Sequence, residues 1–236
     1  MIRKQGQVTI FLIIGIVSLS IMLLFFYIQN IESGGSKSQA EFSVIINQDK
    51  QTAKNYVESC MSAIAEPLII EFAKKGGSFI PSDIVHEEIS INVLAQYKSD
   101  FGYQNLMLTK EEMEKELNDN IKEQLKSCIN KEVFEKQGFV VIEGDSQVDT
   151  TIGTDNIHIF LKKPMTLKKS DYTINLNDYS ITLKLPLGNL YAVAIDIVNK
   201  ESLQGYFDKE DYILGHDILI EKFKPYPHTI YRIKHS

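Results

Sequence analysis

Apolar positions in this chain change their spacing along its length. From Val8 to Ile28 they cover every face: VTIFLIIGIVSLSIMLLFFYI, 21 residues without a charge. A helix of about 20 apolar residues crosses a bilayer core while satisfying its own backbone, so this run predicts a transmembrane helix. Ser33–Ser38 (SGGSKS) has nothing to pack and reads as a flexible linker. Between Glu41 and Lys75 the spacing is helical, with Val57, Cys60, Met61, Ile64 and Leu68 on one face. Gly76-Gly77 supplies a left-handed stop, and Pro67 predicts a kink or restart near Glu66. Ile89, Ile91 and Val93 alternate as a short strand after a turn at Ile80–Asp83.

A second helix opens on Thr109 and Glu112, the spacing of a capping box. Met113, Leu117, Ile121, Leu125 and Cys128 or Ile129 form its stripe, and Gly138 predicts its end. Beyond Gly138 the period becomes two. Candidate strands are Phe139–Ile142, Val148–Ile152, Ile157–Lys162, Tyr172–Leu176 and Tyr179–Leu185, with turns at Gly153–Asn156, Lys168–Asp171 and Asn177-Asp178. A third helix is predicted over Leu187–Asn199, with edge strands at Ile218–Phe223 and Thr229–Ile233. The class is α+β, an N-terminal transmembrane helix followed by helices packed on an antiparallel β-meander. The expected domains are a cytoplasmic N-terminus (1–7), the transmembrane helix (8–30), the linker (31–40) and an extracytoplasmic α+β domain (41–236).

Charge sets the orientation. Arg3 and Lys4 precede the apolar run and no acidic residue lies before Glu32, which keeps the short N-terminus inside and the remainder outside. With 25 basic and 31 acidic residues the chain has no basic footprint, so nucleic acid is excluded as a partner. The expected partners are the lipid bilayer and other surface proteins.

Two cysteines, Cys60 and Cys128, fall on the apolar faces of the first two soluble helices. An even count on an oxidising side predicts a disulfide between them, and closing a loop of about 70 residues contributes about 4 kcal/mol in the chain-entropy model. The alternative is a pair of unrelated buried thiols.

Arg3-Lys4-Gln5-Gly6-Gln7, followed directly by the apolar run, resembles the start of small single-span archaeal surface proteins, and also archaeal type IV pilin precursors. The pilin resemblance implies cleavage between Gly6 and Gln7 and assembly through the hydrophobic helix. Gln5 stands where a basic residue is expected, and Phe11 where bacterial pilins carry Glu. Gly34-Gly35 argues against one continuous pilin-like helix.

Motifs of catalysis are missing. His86-Glu87-Glu88 is not HExxH, and there is no Gly-x-Ser-x-Gly elbow, Walker loop or Rossmann fingerprint. Asp145–Asp149 and Asp208–Asp211 lack the spacing of a calcium loop. No catalytic, cofactor-binding or metal residue is assigned, and no cofactor is expected. Tyr206, Phe207, Tyr212, Tyr226 and Tyr231 either form an aromatic contact patch or pack the tail onto the fold. The expected role is a membrane-anchored extracytoplasmic domain with a binding or envelope function. The alternatives are a pilin-like subunit and a membrane-tethered enzyme of unknown class.

Overall fold

A computed structural model describes residues 20, 22–23, 39–80, 84–100, 102–213, 218–225 and 227–235. The chain divides into two units, Met1–Asp49 and Lys50–Ser236. Most of the Val8–Ile28 run, the linker and the Gly6-Gln7 junction lie outside the described residues. Among the described residues no helix is long and apolar enough to cross a membrane.

The fold is α+β with antiparallel sheets. Its first helix, α1, spans Gln39–Lys74. From Lys50 onward, Ala53, Val57, Cys60, Met61, Ala65, Leu68, Ile69 and Phe72 are buried, a 3–4 residue recurrence that defines one face. Of the kink or restart expected at Pro67, the restart does not occur: the helix runs through, with Pro67 on the exposed side. The ring removes one backbone hydrogen bond, while Leu68, Ile69 and Phe72 beyond it are held by burial. The helix ends at Gly76 and Gly77, φ +82° and +80°, where the Gly77 amide donates to the Phe72 carbonyl.

Two small hairpins follow. Strands β1 (Ile84–His86) and β2 (Ile89–Ile91) pair around Glu87-Glu88, and β3 (Ala95–Lys98) pairs with β4 (Gly102–Asn105). Asn92 ties this segment to the end of α1, its side-chain amide donating to the Lys75 and Ser78 carbonyls. The two-residue turn requires positive φ at both central positions, and Glu87 (49°) and Glu88 (67°) adopt it without a glycine. The Glu87 carboxylate accepts from Arg232 and so helps hold the turn. Glu88→Gly is therefore expected to stabilise the protein by roughly 0.5–1 kcal/mol, the left-handed penalty less the added chain entropy of glycine. Chemical denaturation measures it.

Helix α2 (Lys110–Cys128) starts with both halves of its capping box made: the Glu112 amide donates to Thr109 Oγ1 and the Thr109 amide to Glu112 Oε2. It ends ten residues before Gly138. Ile129 turns extended and the Asn130 side chain accepts from the Glu132 amide, opening a separate short helix, α3 (Glu132–Glu135). Gly138 (φ +85°) closes α3 instead.

The main sheet is built on one long strand. β7 (Ile157–Lys169) carries β5 (Val140–Glu143) and β6 (Gln147–Ile152) end to end along one edge, and β8 (Tyr172–Leu183) along the other. A simple meander would pair β5 with β6; here β5 passes over to β7. The expected break at Asn177-Asp178 is a register irregularity within continuous strands, facing Lys162–Met165. Pro164 sits in that irregularity, where a missing amide costs no ladder bond.

One sheet face is buried, through Val148, Thr150, Ile152, Ile157, Ile159, Leu161, Met165, Leu167, Ile174, Leu176 and Tyr179. α2 lies across β6 and contributes Met113, Leu117, Ile121 and Leu125 to the core. The helices also close the sheet's edges. Glu114 on α2 accepts from the Ile152 amide (2.8 Å), and Glu58 on α1 accepts from the Ser180 amide (3.2 Å). The other face carries Thr151, His158, Phe160, Lys162, Asn175, Ser180 and Thr182, all exposed.

The C-terminal part has its own core. Helix α4 (Leu187–Gln204) runs five residues past the predicted Asn199 and stops at Gly205, φ +69°. Gly188 in its first turn lies against the β6–β7 turn, where a Cβ would stand 2.3 Å from the Gly153 carbonyl oxygen. After a short helix α5 (Lys209–Ile213), β9 (Ile218–Phe223) and β10 (Ile230–His235) pair with each other rather than with the main sheet. Val193, Ile197, Phe207, Ile218 and Ile220 form the centre of this second cluster.

Candidate functional site

Three places are candidates for function: the cystine, the C-terminal aromatic cluster and the β3–β4 ribbon. Cys60 and Cys128 are bonded, with Cα atoms 5.8 Å apart, and join α1 to the last residue of α2. One turn earlier on α1, the Tyr56 hydroxyl donates to the Cys128 carbonyl (2.7 Å) and itself accepts from the Asn130 amide (3.3 Å). The Tyr56 ring meets Phe134 edge-on at 5.3 Å. Helix C-termini leave carbonyls without partners; here a phenol and a covalent bond secure that end together.

The aromatic residues named from sequence separate. Phe207 is buried, with Tyr212 at 5.3 Å and Tyr231 at 5.8 Å between centroids. Tyr206 is 58% exposed, and Tyr226 lies outside the described residues. The lysines between them were not singled out from sequence. Lys200 Nζ stands over Phe207 and Tyr212, and Lys222 Nζ over Tyr206 and Tyr231 at 5.9 and 5.0 Å. Lys222 also donates to Glu201 Oε1 at 2.6 Å, where the Tyr231 hydroxyl donates too.

Burial alone would raise the Glu201 pKa; hydrogen bonds from Lys222 and Tyr231 and the Lys222 charge outweigh it and hold it below the ordinary carboxylate range. Tyr231 is pushed up by burial and by Glu201, and Tyr212 up to about 12 by burial and by its 2.8 Å bond to Asp196. These groups satisfy one another. The phenols stay protonated at neutral pH and the ammonium is already paired, so the cluster clamps α4, β9 and β10 together.

The sign of the pH dependence follows. A raised phenol contributes stability that is complete below its unfolded value of 10.0 and is lost as pH rises through the folded one. Glu201, held low, contributes stability present above its unfolded value of 4.5 and lost as pH falls through the folded one. Tyr179, fully buried in the main sheet, is raised chiefly by burial. In a spectrophotometric titration Tyr179, Tyr212 and Tyr231 are expected to ionise above the ordinary phenol range, together with loss of the native circular dichroism. Wild-type stability should fall above pH 10.

The other sequence candidates stay apart. His158 is exposed, its Nδ1 2.9 Å from Thr182 Oγ1. His86 packs at a tilt against Phe223, 4.9 Å between centroids, on the ring that Arg232 also covers. Among the described residues no three His, Cys, Asp or Glu side chains are placed to hold a metal ion.

The ribbon was missed from sequence. Tyr97 and Tyr103 are cross-strand partners with rings 5.3 Å apart, and 63% and 52% exposed. Its signal is a pair of tyrosines flanking a turn of Ser99, Asp100 and Gly102. No protein-family model, curated protein or solved structure matches this chain.

Proposed function

We propose that the chain is a single-pass membrane protein whose Val8–Ile28 run anchors an extracytoplasmic α+β domain with a non-catalytic binding or envelope role. The observation that carries the reading is the Cys60–Cys128 bond downstream of an uncharged 21-residue run: cystines persist on the oxidising side of a membrane. Arg3 and Lys4 before the run give the same orientation. The internally neutralised Glu201–Lys222–Tyr231 cluster supports a structural rather than a catalytic use of its polar groups.

Protease added to sealed cells should remove the C-terminal part, and non-reducing gels of intact cells should show the oxidised form. A C-terminal part protected until the cells are lysed would refute the reading. A pilin-like subunit is the second reading, favoured by the Gly6-Gln7 junction. Sequencing the mature N-terminus separates the two: Gln7 first means processing and assembly, Met1 a static anchor.

A further inference from the structure

The β3–β4 ribbon has two unlike faces. Gln96, Lys98 and Gln104 lie on one, and β4 packs against α4. The opposite face presents Ala95, Tyr97, Tyr103 and Asn105, and carries no charge. Asn105 is already engaged, its side-chain oxygen accepting from the Met107 amide at 2.8 Å. What remains for a partner is two aromatic rings, each more than half exposed and each ending in a hydroxyl. A neutral surface with an apolar body and polar tips suits the level where acyl chains meet headgroups, and tyrosine concentrates there.

We propose that the Tyr97–Tyr103 face rests on the surface of the bilayer to which the chain is anchored. The inference rests on the anchor reading. Only residues 29–38 separate the uncharged run from α1, a stretch of at most about 35 Å. Such a tether keeps the lipid surface at high effective concentration for any face that can reach it. A second copy of the chain is the competing occupant, and the test separates them.

The sequence contains no tryptophan, so one introduced residue reports its own surroundings. The full chain carrying Tyr97→Trp is reconstituted into phosphatidylcholine vesicles with bromine high on the acyl chains. A second variant, Phe160→Trp, reports from the exposed face of the main sheet. The expected result is a blue-shifted Tyr97→Trp emission lost in brominated vesicles, with Phe160→Trp unaffected. Equal loss from both positions, no loss at Tyr97→Trp in chains that float with the vesicles, or a shift that follows protein density rather than bromine would overturn the inference. In the last two cases the anchor stands. A chain that does not float with vesicles at all refutes the anchor and this proposal with it.

Discussion

Converting both cysteines to alanine, Cys60→Ala with Cys128→Ala, is expected to destabilise the protein by about 4 kcal/mol. The bond closes a separation of 68 residues, and the loss is the loop-closure entropy returned to the unfolded chain. For a domain of this size that corresponds to a melting temperature lower by roughly 8–16 °C. Because the effect lies in the unfolded state, the urea m-value should rise as well, since an uncrosslinked chain exposes more surface. The native state should survive: Tyr56 still donates to the backbone carbonyl at position 128, and Val57 and Met61 on the same helix face stay buried. Urea unfolding of the double variant, set beside reduced wild type, measures both quantities. Unchanged midpoints would mean that the oxidised and open chains are equally compact when unfolded.

Phe72→Ala should cost about 3–5 kcal/mol, an effect of similar size with the opposite origin. Phe72 is fully buried in the last turn of α1, and its ring lies 4.9 Å from that of Phe79, across the Gly76-Gly77 reversal. Truncation empties a site whose walls belong to a helix end and to the chain folding back over it, so collapse into the cavity would need both to move. The m-value should stay constant here, since the damage is to packed contacts in the native state. Phe72→Leu keeps most of the volume and should lose roughly half as much or less. Equal losses from the two variants would indicate that the ring–ring contact, not volume, is what matters.

What could be read from sequence was local. The capping box at Thr109, the Gly76-Gly77 stop, the β6–β7 turn and the helical faces bearing both cysteines each depend on residues within a turn or two of one another. The misreadings share another cause. Pro67 speaks for a break, but the burial that carries α1 past it comes from distant parts of the chain. Asn177-Asp178 has turn chemistry, yet β7 supplies a continuous partner that keeps the strand running. Nothing in Phe139–Ile142 says that it will pass over β6 to reach β7, because strand pairing is decided across the sheet. The aromatic tail was recognised as a group, while its assignment to a clamp depended on Lys200, Glu201 and Lys222 arriving from two other elements.

Glu58 and Glu114 carry a last consequence. Unsatisfied amides along a sheet margin invite other strands to add on, which is how fibrils are seeded. At Ser180 and Ile152 a carboxylate already takes the hydrogen a newcomer would need, and its negative charge repels an approaching carbonyl. Copies of this chain crowded side by side would therefore find those two points on the margins closed to zippering.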